Sequence, residues 1–203
     1  MNLLVIRHGE SEADILNVIE GSADFELTEL GCKQAKAMAE WVNSRYKIDK
    51  IIASPLKRAK KTAKFLSEAT GVNLEYDENL KEFQNGLIAG LSREEADRKY
   101  PKPNFRYPHT KIYEMESDLE FRFRAETVLS KIINENNKDS TIAIVAHGGL
   151  INMLYRSFLN LPNNINVYFS TGNTGIHRWY VDKSNHMEKR YVIFSNSLEH
   201  LNS

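Results

Sequence analysis

Three short apolar runs predict buried β-strands in the first three quarters of the chain. They cover residues 3–6, 51–53 and 142–146 and contain only leucine, isoleucine, valine and alanine. Runs that are apolar at every position are typical of strands covered on both faces in a parallel sheet. Residues 175–181 and 190–195 carry an alternating pattern, which predicts further strands near the C-terminus.

Apolar residues recur at helical spacing in the longer segments between these strands. They predict helices over residues 28–46, 55–69, 119–134 and 149–159. Thr28 is the expected N-cap of the first helix. Ser54 is the expected N-cap of the second, with Pro55 at its first helical position. Because strands and helices alternate, we expect an α/β fold, a three-layer α/β/α sandwich around a mainly parallel central sheet.

No repeat or low-complexity linker divides the chain, so residues 1–203 are expected to form a single domain. Residues 86–116 interrupt the alternation, because the stretch YPKPNFRYPH places three prolines among aromatic and basic residues. Two interpretations stay open for this segment. It is an irregular surface loop, or it is a lid and specificity insert over a site.

Side chains of that segment suggest how an insert would contact a substrate. The segment contains basic side chains that could contact a second anionic group: Lys102, Arg106, His109 and Lys111. It also contains aromatic rings that could stack on a substrate ring: Phe105, Tyr107 and Tyr113. The same residues would also suit an ordinary loop surface.

Composition narrows the class of protein. The 27 basic and 27 acidic residues cancel, so neither a generally basic nucleic-acid surface nor an acidic tail is predicted. Cys32 is the only cysteine, which rules out an internal disulfide and fits a reducing compartment. The chain shows neither an apolar run of about 20 residues nor a signal-peptide pattern. We therefore expect a cytoplasmic protein without a membrane or nucleic-acid partner; no pattern specifies its oligomeric state.

Anion-binding side chains follow three of the predicted strands. Arg7 and His8 follow the first, Arg58 lies a few residues after the second, and His147 follows the third, with a glycine after each histidine. Carboxyl ends of parallel strands meet at one edge of a sheet, where ligands bind. Each element alone has a simple structural explanation, such as a solvated turn or a basic helix face. Together they predict a site for a phosphate dianion.

The same set of residues does not suggest a metal or a cofactor. Metal sites combine histidines with carboxylates or cysteines at ligand spacing, whereas here the histidines accompany arginines, which repel cations.

Six motifs, in order along the chain, resemble those of one known family. They are RHGES (7–11), LTELGCKQA (27–35), SPLKRAKKTA (54–63), LKEFQNG (80–86), AHGG (146–149) and NSLEHL (196–201). The chain resembles the histidine phosphatase superfamily in its phosphoglycerate mutase-like branch, and most of all its broad-specificity phosphatases. The resemblance implies a phosphoglycerate mutase-like fold and metal-independent hydrolysis of small-molecule phosphomonoesters without a cofactor.

The resemblance also implies roles for single residues. His8 would accept the phosphoryl group as phosphohistidine, and Glu82 would protonate the leaving group. Arg7, Arg58 and His147 would hold the phosphoryl oxygens, and the expected substrate-binding set also includes Ser11, Asn17 and Gly148. Neighbouring arginines should lower the pKa of the nucleophilic histidine, which must be unprotonated to attack.

Two departures from the family pattern affect these expectations. Position 14 often holds an asparagine that contacts phosphate, but here it is Asp14. Asn17 would substitute for it, or Asp14 would face solvent or pair with a basic side chain. After Glu82 the mutases carry Arg-His-Tyr-Gly, whereas this chain has Phe-Gln-Asn-Gly, which favours hydrolysis. A cofactor-dependent phosphoglycerate mutase and a non-catalytic phospho-ligand-binding regulator remain as alternatives.

Overall fold

The computed structural model describes residues 1–163, 165–183 and 188–202. These residues form a six-stranded sheet in the order β3-β2-β4-β1-β5-β6. The strands are β1 (Asn2–Arg7), β2 (Lys50–Ala53), β3 (Leu74–Tyr76), β4 (Thr141–Ala146), β5 (Ile176–Asp182) and β6 (Lys189–Ser197). The first four strands pair in parallel, and β5 and β6 add an antiparallel edge. The predicted strands and the mainly parallel sheet are confirmed.

Helices flank the sheet on both sides. They are α1 (Glu12–Leu16), α2 (Glu29–Arg45), α3 (Lys57–Thr70), α4 (Arg93–Lys99), α5 (Asp118–Glu135) and α6 (Gly148–Phe158). The four predicted helices correspond to α2, α3, α5 and α6. The Thr28 cap is confirmed, because its side chain accepts a hydrogen bond from the Gly31 amide. Among the helices of the described residues, none has the length and apolar composition that a membrane span requires.

The predicted start of α3 is wrong by two residues. Leu56, not Ser54, is the N-cap, and Pro55 lies outside the helix. The first hydrogen bond of the helix runs from the Lys60 amide to the Leu56 carbonyl, so the helical turns begin after Leu56. The Ser54 hydroxyl instead lies 2.8 Å from Nε2 of His147 and also accepts from the Leu56 amide.

Alternate side chains of β1 enter two separate apolar clusters. Leu3 and Val5 pack with residues of α5 and α6, whereas Leu4 and Ile6 pack with residues of α2 and α3. All four side chains are completely buried. The sheet is therefore covered on both faces, which confirms the three-layer α/β/α sandwich and explains why the central strands are apolar throughout.

The register of the parallel strands brings three strand ends to one level. Arg7 pairs with Ala146, and Ala53 pairs with Val145. The amide of His8 then donates to the carbonyl of Ala146 at 3.0 Å. The residues that follow β1, β2 and β4 therefore leave the sheet side by side.

Residues 86–116 are more ordered than the sequence predicts. Residues 93–99 form α4, whose N-cap Ser92 accepts from the Glu95 amide at 3.1 Å. The helix was missed because Ala96 is its one buried residue, which leaves no apolar stripe. The proline-rich part, 101–110, has no regular secondary structure.

Candidate active site

His8 is held with one ring nitrogen protonated and the other free. Its Nδ1 lies 2.7 Å from the carbonyl oxygen of Gly9. Because a carbonyl only accepts hydrogen bonds, the proton of the neutral ring resides on Nδ1. The other nitrogen, Nε2, then carries a lone pair. The backbone on both sides is fixed as well, since the Thr174 amide donates to the His8 carbonyl at 3.1 Å.

Arg58 lies in the first turn of α3 and is completely buried. Its two terminal nitrogens donate to the carbonyl oxygens of Gly21 at 2.7 Å and Ala23 at 2.9 Å. Its Nε donates to Nε2 of His8 at 3.3 Å. The pKa of His8 is well below its usual value, first because the ring is buried and then because Arg58 and Arg7 are close. The expected direction is confirmed, with burial as the largest cause.

His147 occupies the N-cap position of α6 and is also completely buried. Its ring centroid lies 5.1 Å from that of His8. Burial, followed by the charge of Arg58, lowers its pKa well below the usual value, so the ring is neutral. Within the described part of the chain, Nδ1 of His147 and Nε of Arg7 are buried without a hydrogen-bond partner. An anion with several oxygens would satisfy such groups.

Arg7 and Asp14 are neighbours in the structure. A terminal nitrogen of Arg7 lies 3.8 Å from the Asp14 carboxylate, and another donates to the Thr171 carbonyl at 2.7 Å. Asp14 also accepts from the Ser11 amide at 3.0 Å, which completes a capping box at the start of α1. The interpretation that Asp14 pairs with a basic side chain is therefore confirmed.

The remaining expected phosphate contacts differ in their placement. Ser11 is buried, and its hydroxyl donates to the carboxylate of Glu20 at 2.6 Å. Asn17 is exposed at the C-terminal end of α1, with left-handed backbone at φ 51°. Asn17 is not among the residues that line the cavity adjoining this site, although its neighbour Val18 is. Gly148 is the first residue of α6. A Cβ added to it would lie 3.7 Å from Nε of Arg7, so the two residues are in contact range.

Glu82 reaches the same site from a loop after β3. One carboxylate oxygen accepts from the Gly149 amide at 2.7 Å, at the N-terminus of α6. Gly149 is required for this approach, since an added Cβ would lie 2.5 Å from the carboxylate. Arg124 of α5 donates to the Glu82 carbonyl at 2.9 Å and to the carboxylate of Glu116. Arg124 is a supporting residue that no sequence pattern selects.

Glu20 is the main residue that sequence reasoning missed. It lies in the loop between α1 and α2 and belongs to none of the six motifs. Its carboxylate lies 3.1 Å from Nε of Arg58 and 3.8 Å from Nε2 of His8. A single glutamate in a loop carries no pattern, so no sequence signal predicted this contact.

A cavity of about 690 Å³ adjoins these residues. Its acidic lining residues are Asp14, Glu20, Glu82 and Asp97. Residues 86–116 supply much of the remaining wall, including Arg93, Lys102, Arg106 and Tyr113. Of the other side chains considered for a second substrate group, Lys111 pairs with Glu120, and Phe105 packs on Tyr107.

The geometry and the motifs agree with the comparison to known families. Residues 3–192 match the model of the histidine phosphatase superfamily, branch 1. This chain belongs to that superfamily, which confirms the resemblance.

Individual relatives include both phosphatases and a mutase. The chain is 30% identical over 170 residues to the glucosyl-3-phosphoglycerate phosphatase of Mycobacterium tuberculosis, covering 79% of this chain and 76% of that protein. It is 35% identical over 168 residues to the phosphoglycerate mutase of Schizosaccharomyces pombe, covering 75% and 77%. The native structure of mycobacterial glucosyl-3-phosphoglycerate phosphatase superposes with a TM-score of 0.83 at 25% identity, covering 97% of this chain and 98% of that one.

Proposed function

We propose that this chain is a metal-independent phosphatase that hydrolyses phosphomonoesters through a phosphohistidine on His8. The observation that carries the proposal is the state of the His8 ring. Its Nδ1 is committed to the Gly9 carbonyl, which leaves Nε2 as an unprotonated nucleophile next to the guanidinium of Arg58.

In the first step, Nε2 of His8 attacks phosphorus, and the bond between phosphorus and the ester oxygen breaks on the opposite side. Arg7, Arg58 and His147 hold the phosphoryl oxygens, where charge accumulates in the transition state. The protonated carboxyl of Glu82 donates its proton to the leaving oxygen, so that the product departs as an alcohol.

In the second step, water attacks the phosphohistidine and the N–P bond breaks. The Glu82 carboxylate, now ionised, takes a proton from the attacking water. Inorganic phosphate leaves, and both His8 and Glu82 return to their starting states. Glu82 is supported for this task by the Gly149 amide and by Arg124, which fixes its backbone.

The substrate class that we propose is a small phosphomonoester, with residues 86–116 acting as a lid and specificity insert. Lys102 and Arg106 line the cavity; Lys102 would contact a second anionic group of the substrate, and Arg106, which pairs with Asp118, would contribute through its other guanidinium nitrogens. The names of the relatives support this class, since several are phosphatases of small phosphorylated metabolites. We place this activity in the cytoplasm, with no nucleic-acid or membrane partner.

A phosphoglycerate mutase is the second candidate, because a named mutase is 35% identical to this chain. Incubation with 3-phosphoglycerate separates the two activities. A phosphatase releases inorganic phosphate, whereas a mutase interconverts the 2- and 3-phosphoglycerate isomers. The residues after Glu82, which depart from the mutase pattern, favour release.

The covalent step is tested by trapping. Wild-type protein mixed with a phosphorus-labelled ester and quenched in alkali should retain label that acid removes, as expected for a phosphoramidate. His8→Ala should retain none and lose turnover by several orders of magnitude. Unchanged turnover in a folded His8→Ala variant would contradict the mechanism. Loss of activity in EDTA that a divalent metal restores would contradict its metal independence.

A further inference from the structure

Glu20 lies beside the proposed nucleophile and contacts Arg58. One carboxylate oxygen lies 3.1 Å from Nε of Arg58 and accepts from the Ser11 hydroxyl at 2.6 Å. The other lies 3.8 Å from Nε2 of His8. The Glu20 side chain is 16% exposed, whereas Arg58 is 0% exposed.

The hydrogen bonds of Arg58 show which of its nitrogens the contact with Glu20 occupies. Both terminal nitrogens are committed to the carbonyls of Gly21 and Ala23, so Nε is the group directed towards His8. A phosphoryl group attacked by Nε2 must place its phosphorus about 3–3.5 Å from that atom, with its oxygens around it. The Glu20 carboxylate already contacts Nε of Arg58, the nitrogen that one of these oxygens would contact.

The cavity lining and the exposure of the side chains also place Glu20 at the edge of the site. Glu20 and Asp14 line the cavity, whereas His8 and Arg58 are at most 1% exposed. Glu20 therefore borders the cavity and also lies close to both buried residues. From this geometry we propose that Glu20 is an internal carboxylate ligand of the phosphate subsite, which an incoming phosphoryl group must displace. The inference rests on the proposed function in taking the space beside His8 as that subsite.

Charge makes the displacement sensitive to pH. The groups that face Glu20 are Ser11, the N-cap of α1, Asp14 of α1, Arg7 and His8 at the end of β1, and Arg58 of α3. Burial raises the pKa of the Glu20 carboxyl, while Arg58 and Ser11 oppose the shift. An ionised Glu20 carboxylate would repel a dianion bound beside it. Protonation of Glu20 should therefore favour anion binding.

A purely structural role for Glu20 makes the opposite prediction. If its main effect were to hold Arg58 in place by an ion pair, its removal would loosen the guanidinium and weaken anion binding. If Glu20 competes with the anion, its removal raises anion affinity; if Glu20 only positions Arg58, its removal lowers anion affinity.

The test measures binding of sulfate and inorganic phosphate by calorimetry, without any reaction. Sulfate stays a dianion between pH 5 and 8, so its own protonation does not obscure the result. At pH 8, Glu20→Gln should bind sulfate about tenfold more tightly than wild type. A tenfold change in the dissociation constant corresponds to the same free energy as a shift of one pKa unit. The difference should narrow towards pH 5, as the wild-type carboxyl takes up a proton. Glu12→Gln makes the same charge change at an exposed position of α1 and should match wild type.

Two further measurements test whether the change in sulfate affinity comes from loss of the Glu20 carboxylate. Glu20→Ala should also bind more tightly, which guards against a folding defect peculiar to the glutamine variant. With an ester substrate, both Glu20 variants should lower KM. Equal or weaker sulfate binding at pH 8 in both folded variants would overturn the inference.

Failure of the proposed function would look different. If sulfate affinity rises as expected but neither protein releases phosphate from any ester, the role of Glu20 stands and the phosphatase proposal falls. If esters are hydrolysed through His8 but sulfate affinity is unchanged or weaker in the variants, the inference about Glu20 falls alone.

Discussion

Nε of Arg58 donates to Nε2 of His8 across 3.3 Å, although the two residues lie 50 positions apart in the chain. The contact is possible because β1 and β2 both pair with β4 and end at one level. A cation beside an unprotonated imidazole keeps the ring neutral. The same cation is then in place to stabilise charge on a phosphoryl group.

Arg58→Lys should lower kcat/KM by about 10²–10³-fold, because an ammonium cannot reproduce the planar fork of the guanidinium. The loss should be accompanied by weaker order of residues 21–23, whose carbonyls hold the terminal nitrogens of Arg58. Steady-state kinetics on one ester checks the first effect. Arg45→Lys, at an exposed position of α2, is the matched control. A loss below threefold would contradict the role of Arg58.

Gly149→Ala should reduce kcat, because its Cβ would lie 2.5 Å from the Glu82 carboxylate and displace it. Gly148→Ala introduces the same methyl group one residue earlier, where the nearest atom is 3.7 Å away. We expect the Gly149 variant to lose roughly tenfold or more in kcat, as for a misplaced general acid. The Gly148 variant should lose less. Equal effects would show that the position of Glu82 is not the cause.

Arg124→Lys should lower kcat with little change in KM. Arg124 contacts the carbonyl of Glu82 and the carboxylate of Glu116, so it positions the proposed proton donor. Arg122→Lys, two positions earlier on the same helix, is the control, because Arg122 pairs with Glu126. The pH dependence of kcat distinguishes positioning from a general loss of stability. A shift of the profile is expected for Arg124→Lys alone, and an unshifted profile would exclude a positioning role.

His177 should make the protein less stable in mild acid. Burial lowers its pKa to about 4, whereas the unfolded chain titrates near 6.5. Between these values the unfolded state binds more protons, so the stability conferred by His177 is complete above 6.5 and is lost as pH falls towards 4. The free energy of unfolding should fall by about 1.4 kcal/mol per pH unit for this group. Denaturant unfolding at pH 7 and pH 5 measures it, and His177→Gln should show a smaller decrease.

Much of the architecture could be predicted from local pattern. The apolar runs at 3–6, 51–53 and 142–146 are central strands, since both faces of the sheet are covered. The strand Leu74–Tyr76 was missed because it lies at the sheet edge, with two of its three residues exposed. The start of α3 was placed wrongly because its first hydrogen bond is accepted by the Leu56 carbonyl, which residue type and spacing do not determine.

The sequence by itself determined which reactive side chains follow each strand, and its ordered motifs determined the family. Those are local properties, set by residue type and spacing. Only the tertiary structure decided the surroundings of these side chains: the burial of Arg58, the neutral rings of His8 and His147, and the contact of Glu20 with Arg58. The physical reason is that desolvation and Coulomb interactions depend on distances across the folded chain, which spacing along the sequence does not encode.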